Sequence, residues 1–186
     1  MLTVLKNTGS SPISGTFDNL VNGGTISAIY NCTVYTFTAN YSGGSGDDLT
    51  LTLQSKNFSQ WETNNGFTGG PGDPPGNDGI PNLLKYVCDI DPSSPVAADR
   101  SALPVFGMTT TGVATYLTLT YRQYASLTGV TITVQTSPDL QTWTTVSPPD
   151  LAQLAGADST TGDPIMEVGV IATSAKQFLR LNVTQP

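Results

Sequence analysis

Apolar and polar residues alternate over short stretches along most of the chain. Between residues 49 and 54, leucine alternates with threonine and glutamine, a period of two that is typical of a half-buried β-strand. Residues 33–41 are rich in Val, Tyr, Phe and Thr, which fit the pleated surface of a sheet. The same patterns predict further strands around residues 4–5, 116–121, 130–134, 166–172 and 179–183.

Turn residues separate these stretches, and one long segment interrupts them. Gly9-Ser10-Ser11-Pro12 and Gly23-Gly24 are typical of turns. Between residues 66 and 79, Gly and Pro are too frequent for a central strand or a helix. Residues 80–87 follow, with Pro81 placed where a first helical turn tolerates its missing N–H. We predict one short helix there, whose apolar residues hold the segment against a β core.

These patterns predict an all-β fold in three parts. A short N-terminal β module covers residues 1–54, and a Gly/Pro/Asp-rich linker with one short helix covers residues 55–100. Residues 101–186 are expected to form a C-terminal antiparallel β-sandwich of immunoglobulin-like (Ig-like) type, because several short strands occur with few helical signals. The strand order does not follow from the pattern.

Composition and charge narrow the functional classes. Charged residues make up only 11% of the chain, the formal net charge is −7, and the seven Lys and Arg residues form no cluster. Nucleic-acid binding needs a basic surface, so no nucleic-acid partner is expected. No stretch approaches the ~20 apolar residues of a membrane helix, so we expect no membrane insertion. A hydroxyl-rich acidic chain of this kind is typical of proteins outside the cell or on its surface.

Two cysteines, Cys32 and Cys88, lie far apart in sequence and have no metal-ligand spacing. In an oxidising compartment we predict a disulfide between them, and the alternative is two buried thiols. The opening residues 1–6 lack the apolar stretch of a signal peptide. We therefore expect a mature chain from which any export signal has been removed.

Catalytic motifs are missing from the sequence. The chain has no histidine, the commonest general base, and no nucleophile elbow, phosphate-binding loop or zinc spacing. We therefore predict a protein that is not an enzyme. Glycan binding is the competing function, since β-sandwiches often bind sugars through exposed aromatic residues. Its candidates are Trp61 and Trp143, with Tyr35 and Tyr124, and the alternative is that both tryptophans are packed inside the fold.

The Asp-rich linker is a candidate calcium site. A regular calcium loop supplies carboxylates at positions one, three and five, Gly at six and Glu at twelve. With Gly79 at position six, position twelve is Lys85, a cation where the metal needs an anion. An irregular oxygen cage is one interpretation, and its candidate ligands are Asp73, Asn77, Asp78, Asp89 and Asp91. The other interpretation is a degenerate loop held by turn hydrogen bonds, with no cofactor.

Three groups of motifs occur together in this chain. They are Gly15-Thr16-Phe17-Asp18-Asn19-Leu20 with Gly23-Gly24 and residues 41–51; Asn77-Asp78-Gly79-Ile80-Pro81-Asn82-Leu83-Leu84-Lys85-Tyr86 with Asp91-Pro92; and residues 133–143 with Phe178-Leu179-Arg180-Leu181. In that order, they resemble the closing segment, the Asp-rich linker and the C-terminal β module of autotransporter-associated β-strand repeat proteins. These are very large surface proteins of Verrucomicrobia-type bacteria. The resemblance implies an exported surface protein with an adhesive or scaffolding role. This chain departs from the family in size, since only one repeat-like remnant precedes the linker.

The sequence therefore leads to a structural hypothesis. Open strand edges need protection by Lys, Pro or bulges, and this chain has few lysines. We predict that residues 1–54 pair with another copy, giving a head-to-tail contact that forms a fibre, sheath or surface layer. The partner would be the protein itself. The alternative is a glycan-binding adhesin, or the terminal module of a larger surface passenger protein.

Overall fold

The computed structural model of the chain describes residues 1–30, 33–66, 69–74, 78–92, 100–173 and 176–185. Over these residues the chain forms eleven β-strands in three sheets, two α-helices and a 3-10 turn at Arg100–Ala102. Every pair of neighbouring strands is antiparallel. The all-β prediction is confirmed. Neither α-helix in this part of the chain has the length and apolar character that crossing a membrane requires.

The first sheet contains strands β1 (Leu2–Leu5), β2 (Thr25–Tyr30), β3 (Thr33–Gly43) and β4 (Asp48–Leu53). Its order is β1-β4-β3-β2, so β1 and β2 are its two edges. Gly44 begins the tight turn between β3 and β4 with φ at +60°, and a Cβ there would lie 2.2 Å from Asp48 Oδ2. Only glycine fits this turn without moving the carboxylate.

Two α-helices follow, α1 (Phe58–Asn64) and α2 (Asn82–Val87). The prediction of α2 is confirmed, but the expectation of a single helix is wrong. Helix α1 begins with a capping box in which the Asn57 side chain accepts from Gln60 N, and Gln60 Oε1 accepts from Asn57 N, both at 2.9 Å. It buries Phe58 and Trp61, which lie three residues apart on one face.

Seven further strands complete the described chain. They are β5 (Val105–Thr111), β6 (Ala114–Arg122), β7 (Thr131–Ser137), β8 (Thr144–Val146), β9 (Leu151–Ala157), β10 (Pro164–Ile171) and β11 (Phe178–Thr184). The second sheet has the order β5-β6-β10-β9, and the third sheet has the order β11-β7-β8. Residues of the second and third sheets share one hydrophobic core, and strand β11 lies close to β6 and strand β7 close to β10. The β-sandwich and its Ig-like assignment stay predictions.

One large core joins both helices to the second and third sheets. Its centre is Tyr86, fully buried, whose ring lies 5.7 Å from the rings of Phe58 and Trp61 and 6.0 Å from that of Tyr124. Val34 at the start of β3 belongs to the same core. The first sheet has a second, small core formed by Leu20, Ala39, Tyr41 and Leu49. Helices α1 and α2, within residues 55–100, are therefore packed against the body of the protein.

Candidate assembly site

The two faces of the first sheet carry different side chains. In the antiparallel register Ile26 lies opposite Phe37, and Phe37 lies opposite Leu53, so these three side chains share one face. Alternation along the strands adds Ala28, Tyr30 and Tyr35 to that face. The other face carries Thr25, Ser27, Thr36 and Thr38, with Val34 and Ile29. One face of β2 and β3 is therefore apolar and the other is mainly hydroxyl-bearing.

Only half of the apolar face is covered by the chain itself. The segment between β1 and β2 packs Ile13 and Leu20 over Tyr41 and Leu49. The Tyr41 hydroxyl fixes that segment by donating to Leu20 O at 2.7 Å and accepting from Phe17 N at 2.9 Å. The remaining half lies over β2 and β3 and has no such cover. We call it the apolar half-face; its members are Ile26, Ala28, Tyr30, Tyr35, Phe37 and Leu53.

The apolar half-face is exposed to solvent. Ile26 is 44% exposed and Tyr30 is 70% exposed, while Tyr35, Phe37 and Leu53 are half-buried. Every member is apolar or aromatic, and three are aromatic. Aromatic residues are enriched, and charged residues depleted, at the centres of protein interfaces. The composition of the apolar half-face is that of an interface centre.

The hydroxyl-bearing face points towards the rest of the molecule. Val34 on this face is 1% exposed and belongs to the large core. Ser27 and Thr36 lie 3.2 Å apart through their hydroxyls and line a cleft of about 310 Å³ shared with residues of β9. An antiparallel sheet with one solvated face normally turns its apolar side inward and its polar side to water. At β3 this polarity is reversed, since Val34 and Thr36 on the hydroxyl-bearing face are buried, whereas all six residues of β2 are exposed.

Strand β2 also has an open edge without the usual protection. Among the described strands it pairs only with β3, its six residues include no charged residue and no proline, and its pairing with β3 is regular. The other edge strand of this sheet, β1, has an irregular register between Thr3 and Leu5 and is followed by Lys6. Bulges and lysines discourage the pairing of edge strands between molecules. Strand β2 is therefore the edge of the first sheet most open to a further strand.

A polar cavity of about 470 Å³ lies beside the end of α2, and Asp89, Asp158 and Arg122 are among its lining residues. Arg122 Nε donates to Cys88 O at 2.9 Å, and its guanidinium lies 3.6 Å from Asp158 and 3.9 Å from Asp163. Burial, together with the charge and hydrogen bonding of Asp163, raises the pKa of Asp89 to about 6. Sequence reasoning missed Arg122 and Asp163, which lie far from the linker in sequence.

The structure separates the predicted calcium ligands. Asp73 Oδ2 accepts from Gly70 N at 2.7 Å, whereas Asp78 forms an ion pair with Lys85 whose side chains are 5% and 1% exposed. Burial alone would raise the pKa of Asp78, but the hydrogen bond and charge of Lys85 outweigh it and hold that pKa below its usual value.

Asp89 and Asp91 lie instead at the polar cavity, and Asn77 lies outside the described residues. The Lys85 ammonium thus stands beside Asp78, where a metal would be expected. Among the residues that the structure describes, no group of three or more His, Cys, Asp or Glu side chains is arranged to hold a metal ion. Calcium binding stays a prediction.

The predicted disulfide involves one residue that is described and one that is not. Cys88 is fully buried in the large core and forms no disulfide within the described chain, and Cys32 lies outside the described residues. Burial raises the pKa of the Cys88 thiol to about 12, so the thiol stays protonated. A Cys32–Cys88 bridge stays a prediction.

The candidate glycan-binding tryptophans are not open platforms. Trp61 is 3% exposed and packs against Phe58 and Tyr86, and it is also among the residues that line the polar cavity. Glycan binding through Trp61 stays a prediction. Trp143 is half-buried, and the guanidinium of Arg180 lies 4.1 Å from its ring centre. Tyr124 packs against Tyr86, and Tyr35 belongs to the apolar half-face.

Comparison of the chain with protein-family models, with curated proteins and with solved structures found no match. The resemblance to autotransporter-associated repeat proteins therefore rests on the sequence motifs alone.

Proposed function

We propose that this protein is a non-catalytic structural component of the bacterial cell exterior that assembles head to tail, through β-strand contacts, into a fibre, sheath or surface layer. The observation that carries the proposal is the full exposure of β2 beside β3, whose polarity is reversed. Its apolar half-face is turned away from the body and lies beside an open, uncharged edge.

A strand added at β2 would satisfy two separate needs. The outward N–H and C=O groups of β2 would gain main-chain hydrogen bonds, and the added element would shield Ile26 and Tyr30 from water. Another copy of the chain is a suitable donor because every copy has several uncharged edge strands. The net charge of −7 makes copies repel one another at long range, and a contact between uncharged strands adds no local charge repulsion to this.

The location outside the cell follows from composition and from the resemblance stated above. A non-catalytic role agrees with a chain that has no histidine and whose candidate site is an apolar surface. The fibre, sheath and surface-layer forms share the same requirement for a contact that repeats without closing.

Negative-stain electron microscopy and sedimentation velocity of the purified full-length protein test this proposal. We expect concentration-dependent polymers of regular width. A single species with the mass of one chain at all concentrations up to the millimolar range would overturn it.

A further inference from the structure

We propose that the head-to-tail contact places β2 of one copy beside β11 of the next, in a vacant strand position above β5. This inference rests on the proposed function, since it names the acceptor surface for the same apolar half-face. It is argued from the unequal widths of the second and third sheets.

The second sheet extends beyond the third sheet at β5. Strand β11 lies close to β6 and is an edge of the three-stranded sheet, whereas β6 has β5 as its outer neighbour. In the part of the chain that the structure describes, β5 therefore extends beyond the edge of the third sheet. A strand placed next to β11 would lie over β5 and make the two facing sheets equally wide.

The side chains of β5 show that this position is uncovered. Phe106 lies opposite Leu119, and Met108 lies opposite Leu117, so both share the face of two core leucines. Despite facing inward, Phe106 is 54% exposed and Met108 is 66% exposed. They form the apolar floor of the vacant position.

Strand β11 supplies the wall of the same position. Leu181 and Val183 lie opposite the core residues Val134 and Ile132, yet each is only half-buried. No described strand pairs with the outer edge of β11 along its seven residues. A strand at this edge would gain main-chain hydrogen bonds and would complete the burial of these two side chains.

Strand β2 has the length and pattern that the vacant position requires. It has six residues against seven in β11, and Ile26, Ala28 and Tyr30 lie on one face. When that face is turned to the floor, it meets Phe106 and Met108. The two surfaces are therefore complementary: each is an open edge beside an uncovered apolar surface.

Charge is compatible with this pairing. Strands β2 and β5 carry no charged residue, and Arg180 is the charged residue of β11. The acceptor surface is thus neutral to positive, while each approaching copy carries a net charge of −7. Because the donor and acceptor surfaces lie on different parts of the chain, the contact is heterologous and leaves one free end on every added copy.

A complementation experiment with two full-length variants tests the assignment. Ile26→Lys blocks the donor surface, and Met108→Lys blocks the acceptor surface, both at exposed edge positions where lysine is tolerated. Circular dichroism and thermal unfolding of each variant establish that it folds. Phe106→Lys is a second acceptor variant if Met108→Lys folds poorly.

We expect each variant alone to sediment as a monomer and an equimolar mixture to form a one-to-one dimer that grows no further. The Met108→Lys copy then donates its β2 to the intact acceptor of the Ile26→Lys copy. If both acceptor variants polymerise like the wild type, the acceptor assignment is overturned while the proposed function stands. A mixture of folded variants that stays monomeric also overturns the assignment, and a monomeric wild type overturns both proposals.

Discussion

Replacing Ile26 with lysine places a single charge on the apolar half-face and so tests whether this surface forms the contact between copies. Ile26 is 44% exposed in the subunit, and complete burial of an isoleucine contributes about 1.5–3 kcal/mol, so docking is expected to gain about 1 kcal/mol at this residue. A lysine loses that gain and also brings an ammonium group to an apolar contact. The flexible lysine side chain can place its ammonium group at the solvated rim of the contact, so we take about 2 kcal/mol as the free-energy cost of the charge.

The two effects together weaken each contact by about 3 kcal/mol, which corresponds to roughly 100-fold in affinity. The concentration at which polymers appear in sedimentation velocity should therefore rise by about 100-fold in Ile26→Lys. The subunit itself should keep its unfolding free energy, because lysine on an exposed edge strand is well accommodated.

Val113→Lys is the matched control for this experiment. Val113 is fully exposed, immediately after Gly112 in the turn between β5 and β6, outside the apolar half-face. The control adds the same charge to the chain and should assemble at the wild-type concentration. If Ile26→Lys assembles at the wild-type concentration too, the apolar half-face is not the contact and the reasoning fails.

Two further predictions concern stability. Burial and Asp163 raise the pKa of Asp89 to about 6, so folding favours the protonated carboxyl: its full contribution to the free energy of unfolding is present below pH 4 and is lost as pH rises through 6. The Asp89→Asn variant should not lose this free energy, and after allowance for solvent screening it should be more stable than the wild type by about 1–2 kcal/mol at pH 7.5. Urea unfolding of both proteins at pH 4 to 8 measures this, and an unchanged pH profile in the variant would contradict it. Asp78→Asn leaves the Lys85 ammonium without its carboxylate and should lower the free energy of unfolding by about 3 kcal/mol. The matched variant Asp73→Asn should lower it by less than about 1 kcal/mol, and adding Lys85→Met to Asp78→Asn should restore stability. Equal losses in Asp78→Asn and Asp73→Asn would show that the buried ion pair does not hold this segment.

The strands were predictable where apolar and polar residues alternate. Residues 49–53 alternate leucine with threonine, and β4 (Asp48–Leu53) forms there, although Thr50 is buried and Leu53 is only half-buried. Helix α2 was predictable from Pro81 and the apolar residues after it. Helix α1 was missed although Asn57 and Gln60 carry a capping-box signal, because a seven-residue helix with two buried residues has little periodicity.

The polarity of the first sheet could not be predicted from the sequence. Alternation shows that Ile26 and Ser27 lie on opposite faces, but it does not say which face meets the body of the protein. That depends on Val34, which enters a core formed mainly by residues far along the chain. The position of β5 beyond the edge of the third sheet likewise depends on the strand order of two sheets, which the alternation of apolar and polar residues does not predict.

The candidate chemical sites were also predictable only where the residues that form them lie close together in the sequence. Reading the linker as a calcium loop placed Lys85 at a ligand position, and the structure pairs Lys85 with Asp78 inside the same segment. The pairing of Asp89 with Asp163 joins residues 74 positions apart, so no local motif could indicate it. Trp61 was a candidate because β-sandwiches often bind sugars through exposed aromatic residues, but helix α1 buries its side chain in the core.

Amide hydrogen exchange along β2 tests the central claim most directly. The amides of β2 that point away from β3 have no partner strand in the part of the subunit that the structure describes. If a neighbouring copy supplies one, these amides should become at least about tenfold more protected in the assembled protein than in dilute subunits, together with those of β11. Assemblies in which β2 exchanges as fast as it does in the dilute subunit would contradict the account.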